Sequence, residues 1–130
     1  MLNVREMDVL SILWKTDEAM TAIDIVNAKK GLTQSTVTAV LRGMYNKGWV
    51  EVIGVTHSGK VLSRTYRPTQ ESMTAIMNHF IELYQKISDV FGISEMCINI
   101  LAMSEDKERM KKEIAKLKKF LREYQIKEDK

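Results

Sequence analysis

Apolar residues recur three and four positions apart along most of this chain, which is the spacing of amphipathic helices. The clearest case is the segment 32–48, whose apolar stripe contains Val37, Val40, Leu41 and Met44. The opposite side of the same segment is polar and almost free of acidic residues. We therefore expect a helix that buries one face and presents the other to solvent or to a partner.

The polar face of this helix carries short hydrogen-bonding side chains and one arginine. Thr33 stands where an N-cap is expected, so the free N–H groups and the positive dipole end of the helix lie beside the next residues, a favourable place for phosphate. Two interpretations are possible: an ordinary surface helix, or a helix that approaches the base edges of DNA. The predicted DNA-binding residues here are Thr33, Gln34, Ser35, Thr36, Thr38, Ala39, Arg42 and Lys47.

Two shorter helices are predicted before this segment. The first runs from about residue 4 to 15, and we expect Trp14 to anchor the core. The second ends near residue 30, about three residues before the polar-faced helix. Because two short helices joined by a tight turn with a glycine are typical of a helix-turn-helix, 33–47 is the predicted recognition helix. Each short helix begins with a capping-box spacing, Asn3 with Glu6 and Thr21 with Asp24.

A β-hairpin is predicted after the recognition helix. Residues 49–55 supply β-branched and aromatic side chains, 56–59 carry a turn signal, and 60–67 alternate in polarity. On the second strand we expect Leu62 and Tyr66 to face inward. Three helices followed by strand, turn and strand predict a winged helix.

Positive charge is concentrated in the same part of the chain. The formal net charge is only +3, but residues 29–67 contain seven basic residues against the single acid Glu51. Such a segment attracts polyanions, although a basic surface can also be merely solvated. Lys60 and Arg64, near the hairpin tip, are predicted to bind the sugar-phosphate backbone beside the groove.

Beyond Pro68 the apolar pattern is too wide for one winged helix to cover. The sequence predicts a long helix over 69–91, an apolar segment over 93–103 and a last helix after Ser104 with apolar residues four and three apart. We expect a homodimer held by this region, the alternative being three helices that pack on one another within one chain. The predicted interface residues are Met73, Ile76, Met77, Phe80, Leu83, Tyr84, Ile87, Phe91, Ile114, Leu117 and Leu121.

The expected architecture is mainly α-helical with a small β-hairpin: a winged helix-turn-helix DNA-binding domain over 1–68 and a helical dimerisation region over 69–130. The chain has 130 residues, of which 45% are hydrophobic and 28% charged, in keeping with one soluble domain and an extension. No run approaches the roughly eighteen apolar residues that a membrane span needs, and the N-terminus carries acids where a signal peptide is apolar. We therefore expect a cytoplasmic protein that does not bind a membrane.

The sequence contains no constellation typical of an enzyme. His57 falls in a predicted turn, His79 on a helix, and the single Cys97 in an apolar run, so neither a disulfide framework nor a multi-cysteine metal cluster is expected. A nucleophile elbow, a phosphate-binding glycine loop and a zinc-protease motif are also missing from the sequence. We expect no enzyme activity, cofactor or metal. The alternatives left are a DNA-binding protein and a winged helix that binds only other proteins.

Four stretches resemble the penicillinase-repressor family, which includes BlaI, MecI and CopY. They are REMDVLSILW, TAIDIV, TQSTVTAVLRGMYNKGWVEV and RTYRPT, within residues 3–72. The resemblance implies a homodimeric repressor that binds a dyad operator in double-stranded DNA. Thr38 and Gly43 stand where family members often carry basic residues, so base readout can differ. The copper-responsive branch carries C-terminal C-x-C pairs, which are missing from this sequence. We therefore do not expect copper sensing.

The resemblance also implies one way in which repression ends. In the beta-lactam-responsive branch, a sensor-linked protease cuts an Asn–aromatic bond in the dimerisation region, and ISEMCINIL aligns there at Asn99 and Ile100. Ile100 replaces the aromatic residue. Asn99 could equally serve as an interhelical hydrogen-bond partner, since it is the one polar side chain in MCINILAM.

Overall fold

The structure, a computed structural model, describes residues 2–58 and 60–124. Three helices, an antiparallel hairpin and three further helices confirm the predicted mainly α-helical class and the winged helix-turn-helix. The contacts divide the chain into two compact units, Met1–Gln85 and Lys86–Lys130. The elements are α1 (Val4–Trp14), α2 (Ala22–Ala28), α3 (Gln34–Asn46), β1 (Val50–Ser58), β2 (Val61–Pro68), α4 (Gln70–Gln85), α5 (Ile93–Met103) and α6 (Lys107–Glu123).

Both predicted capping boxes are present. In α1 the Glu6 N–H donates to Asn3 Oδ1 at 2.8 Å, and the Asn3 N–H donates to Glu6 Oε1 at 3.0 Å. In α2 the Asp24 N–H donates to Thr21 Oγ1 at 3.1 Å, and the Thr21 N–H donates to Asp24 Oδ2 at 3.0 Å. Each box satisfies backbone donors that the first helical turn leaves free, so these residues set where the two helices begin.

Glycines with positive φ lie in the connections that follow the second and third helices. Gly31 has φ 90° in the connection between α2 and α3, which is longer than the predicted three residues because α2 already ends at Ala28. Gly48 has φ 78° after α3, and a Cβ there would lie 2.7 Å from Glu71 Oε2. Only glycine adopts this backbone without strain, so both turns depend on it.

The core of the first unit lies where α1, α2, α3 and β1 meet. The expectation that Trp14 anchors this core is wrong: Trp14 is 36% exposed, because its ring lies at the rim, where the indole N–H donates to Ser72 Oγ at 2.9 Å. Val40 of the predicted α3 stripe packs at the core's edge. The buried apolar residues are Leu2, Val9, Leu10, Leu13, Ile25, Leu32, Val37, Leu41, Met44 and Val50.

The hairpin is longer than its sequence pattern indicates, since residues 56–58 of the predicted turn belong to β1. Tyr66 packs against the core as predicted, opposite Val52. The expectation for Leu62 is wrong: it is 63% exposed, because it pairs with His57 near the hairpin end, past the last core side chains. Tyr66 also exchanges backbone hydrogen bonds with Met20, which ties the chain between α1 and α2 to the sheet.

The long helix predicted over 69–91 is shorter, since α4 ends at Gln85 and turns follow up to residue 90. Ser88 and Asp89 favour such turns, because their side chains compete for backbone hydrogen bonds. The predicted segment 93–103 is α5, and Asp106 caps α6 by accepting from the Arg109 N–H at 3.0 Å. Within the described residues, no helix combines the length and apolar character that crossing a membrane requires.

Candidate nucleic-acid interface

The two faces of α3 are separated as its sequence predicts. Val37, Leu41 and Met44 are buried, while the polar side is open to solvent. Five of the predicted DNA-binding residues line one shallow depression on that side, and these are Gln34, Ser35, Thr38, Ala39 and Arg42. The depression contains no acidic side chain. Its lining combines short side chains, which permit close approach, with the donors of Arg42.

The N-terminus of α3 is suited to an anion. Thr33 is the N-cap, accepting from the Thr36 N–H at 3.2 Å, and no acid lies in the first turn. The Thr33 hydroxyl also lies 2.9 Å from Thr36 Oγ1 and 3.3 Å from Ser35 Oγ. Because the cap satisfies only one of the free backbone donors of this turn, others stay available to a phosphate oxygen at the depression's edge.

Two basic residues of the positive segment have acidic partners from α1. Lys47 Nζ lies 2.9 Å from Glu6 Oε2 and 4.6 Å from the centre of the Trp49 ring, and Lys29 Nζ lies 2.6 Å from Asp8 Oδ1. These pairs join residues distant in sequence, so the charge count over 29–67 could not anticipate them. They lower the charge that this surface offers to a polyanion. Lys47 keeps a half-exposed side chain, and a contact with DNA stays a prediction for it.

Arg42, Lys60 and Arg64 form no ion pair with any residue that the structure describes, and all three are exposed. Arg42 lies in the depression on α3, Lys60 at the end of the hairpin, and Arg64 on β2 opposite Val55. A cation without an internal partner keeps its full charge for an external anion. Of the predicted DNA-binding cations, these three therefore keep their full charge for phosphate or for base edges.

Among the described residues, His, Cys, Asp and Glu form no group of three or more that could hold a metal ion. His57 lies on β1 rather than in a turn. His79 lies on α4 with a buried Nδ1 that has no hydrogen-bond partner among the described atoms, and Cys97 is half-buried on α5. These three side chains lie on separate elements, β1, α4 and α5.

The predicted interface residues are divided between exposed and half-buried positions. Ile76 is partly buried and packs against the core of the first unit, so it contributes to the packing of that unit. Met73, Tyr84, Phe91 and Ile114 are half-buried. The exposed members are Met77, Phe80, Leu83, Ile87, Leu117 and Leu121. Other exposed apolar residues of this region are not among the predicted interface residues, namely Ile81, Val90, Ile93, Ile98, Met103 and Phe120.

The candidate cleavage site lies inside α5. Asn99 and Ile100 are exposed, and Asn99 Nδ2 donates to the Glu95 carbonyl of its own helix at 2.7 Å. One amide N–H of Asn99 is therefore bonded within its own helix, and a hydrogen bond to another helix stays a prediction for this side chain. A bond within a helix becomes a protease substrate only after local unfolding, so cutting here requires α5 to open.

Comparison with known proteins agrees with this geometry. The family model described as penicillinase repressor matches residues 2–123. A search among curated proteins found no significant match. Two solved structures share the fold. RosR of H. salinarum is 20% identical with a TM-score of 0.52 over 78% of this chain and 91% of its own. Bacillus subtilis PadR, solved in complex with operator DNA, is 14% identical with a TM-score of 0.52 over 92% of this chain and 98% of its own.

The family match covers nearly the whole chain, including α4, α5 and α6 as well as the winged helix. The two structural neighbours are too distant in sequence to show more than the fold. Three observations agree on a winged-helix transcriptional regulator. They are the winged helix itself, the acid-free depression on α3 and the family match. The chain belongs to the penicillinase repressor family, whose members are winged-helix transcriptional regulators.

Proposed function

We propose that the protein represses transcription by binding, as a homodimer, a dyad operator in double-stranded DNA. The observation that carries this proposal is the depression on α3, whose five lining residues are all exposed and include no acid. In a helix-turn-helix protein this face of the second helix enters the major groove. A cytoplasmic location follows from the role, because the operator must be within reach.

Within this interface, Thr38, Ala39 and Arg42 read the bases. Arg42 can donate two hydrogen bonds to a guanine edge, and Ala39 can contact a thymine methyl group. Ser35 and Gln34 flank them in the same depression. The backbone contacts fall to residues around this group, which are Thr33 and Thr36 at the helix N-terminus, Lys47 at its end, and Lys60 and Arg64 on the hairpin.

Residues 69–130 form the dimerisation region in this proposal. By its contacts α4 belongs to the first unit, where the Thr69 hydroxyl donates to the Gly48 carbonyl at 2.6 Å and Ser72 accepts from Trp14. Its exposed Met77 and Phe80 nevertheless leave apolar surface for a partner. Because α4 is fixed to the end of α3, a partner bound to α4 also fixes the position of the recognition helix. Dimerisation then sets the half-site spacing.

Release of repression by a sensor-linked protease at Asn99–Ile100 is part of the same proposal. Cutting there divides α5 and separates α6 from the winged helix. The dimer would lose the apolar residues that follow the cut. Dissociation into weakly bound monomers would follow, since two linked half-site contacts bind far more tightly than one.

Single substitutions should separate base readout from backbone contact. Lys60→Ala should weaken binding to operator and random duplexes alike and flatten the slope of log K against log salt by about one unit, since one phosphate contact is lost. Arg42→Ala should cost about 1–3 kcal/mol on the operator and less on random DNA. Fluorescence anisotropy across a salt series, on a duplex first located by footprinting the protein's own upstream region, measures both.

Lys119→Ala is the matched control, because it removes the same charge from an exposed position on α6. This variant should leave both the affinity for DNA and its salt dependence unchanged. Equal losses on operator and random DNA for Arg42→Ala would show that the reading face is misplaced. A chain that binds no duplex DNA at low salt would instead indicate a winged helix that binds only proteins.

A further inference from the structure

The proposed contacts with DNA do not involve helix α6. Its 17 residues include eight basic and three acidic side chains, and no residue of α5 or α6, both wholly within the described chain, is buried. A short, highly charged helix is only marginally stable in water without tertiary support. Among the described residues, the protomer covers Met110 and Ile114 only in part and leaves Leu117 and Leu121 exposed, so a further cover would stabilise the helix.

The apolar residues of α6 follow a heptad. Met110, Ile114, Leu117 and Leu121 alternate four and three apart, and Tyr124 continues the series. Leu117 and Leu121 are 41% and 65% exposed. This is the a and d spacing of a coiled coil, which aligns the apolar seam of one helix with the seam of a second. The seam assigns Ile114 and Leu121 to a, and Met110 and Leu117 to d.

The charges beside the seam select the orientation of such a pair. Within α6, position g holds Glu113, and position e holds Lys111 and Lys118. In a parallel pair each g residue lies beside the partner's e residue five positions later, which joins Glu113 to the partner's Lys118. In an antiparallel pair e residues face e residues, which brings lysines together.

We propose that α6 pairs in parallel with α6 of a second copy of this chain, held by the heptad seam and by the Glu113–Lys118 pairs across it. The pairing deepens the proposed function and rests on its homodimer. Among the described residues Glu113 pairs with Lys116, at 3.9 Å, and Lys111 pairs with Glu108, at 3.2 Å. Both are exposed pairs one turn apart, which are weak and readily exchanged for partners across a seam.

Charge reversal on the full chain tests the pairing. Glu113→Lys and Lys118→Glu should each raise the dimer dissociation constant by roughly five- to thirtyfold, because two attractive pairs per dimer become repulsive. The double variant should restore it to within about threefold of the parent. Lys119→Glu is the matched control, because it changes charge equally at position f, away from the seam, and should leave the constant unchanged. Sedimentation equilibrium measures all four, and circular dichroism verifies equal helix content.

A cross-linking test reports orientation directly. In a Cys97→Ser background, Met110→Cys should give a disulfide dimer on mild oxidation, since d residues of a parallel pair lie opposite their own copies. In an antiparallel pair centred near Leu117 the two thiols would be more than about 15 Å apart, at 1.5 Å per residue. Absence of the cross-link in a dimeric chain overturns the parallel arrangement.

The outcomes also separate this pairing from the proposed function. A parent chain that is monomeric at micromolar concentration would overturn both. A chain that dimerises and binds its operator while Lys118→Glu and Lys119→Glu behave alike would overturn only the α6 pairing. Failure of the double variant to recover dimerisation, with its helix content intact, would do the same.

Discussion

A chain ending at Asn99 is expected to be monomeric and to bind its operator about 10²- to 10⁴-fold more weakly than the full chain. The loss follows from avidity, because two half-site contacts on one dimer are replaced by independent ones. The cut removes the last four residues of α5 and all of α6. The winged helix should stay folded, since the core of the first unit lies wholly within residues 2–50.

Light scattering and anisotropy on the operator measure the two losses. A second truncation after Glu123 is the control, because it keeps α6 complete and should dimerise like the full chain. On a duplex with a single half-site, the fragment and the full chain should differ little. A fragment that still dimerises and binds the full operator at undiminished strength would show that the Asn99–Ile100 junction is not the switch.

The winged helix was predictable because its signals are local. A capping box is read from two residues three apart, and Asn3 with Glu6 and Thr21 with Asp24 form as their spacing indicates. The apolar stripe of α3 and the N-cap Thr33 are local signals of the same kind. Each signal concerns residues within one helix, where spacing alone determines which side chains are neighbours.

The features that the sequence did not reveal depend on residues far apart in the chain. Lys47 and Glu6 are 41 positions apart, and the sequence does not show that Lys47 already has a partner. Trp14 resembles a core residue by composition, but its indole N–H needs an acceptor and finds it on Ser72, 58 positions later. Leu62 follows strand alternation correctly but lies past the end of the core. The spacing of apolar residues predicts which face of a helix or strand is buried. How far the core extends along that face is known only from the tertiary structure.

The largest stability effect on the recognition helix should come from Leu41→Ala. Leu41 is 1% exposed, and its truncation should lower the free energy of unfolding by about 2–5 kcal/mol through lost burial and the cavity left behind. Arg42→Ala, one residue along the same helix, removes an exposed side chain and should change that free energy by no more than about 0.5 kcal/mol. Urea unfolding at one fixed protein concentration gives both values, since dimerisation makes stability depend on concentration.

For DNA binding, Arg42→Ala should have a larger effect than Leu41→Ala. Under conditions where Leu41→Ala is folded, its affinity for the operator should stay close to that of the parent, because Leu41 does not line the depression. Arg42→Ala should lose affinity while keeping full stability. If one substitution lowers stability and the other lowers DNA affinity, the boundary between the buried face and the DNA-reading face of α3 lies between Leu41 and Arg42. If Leu41→Ala unfolded at the parent's urea midpoint, the buried stripe of α3 would not be what holds the recognition helix in place.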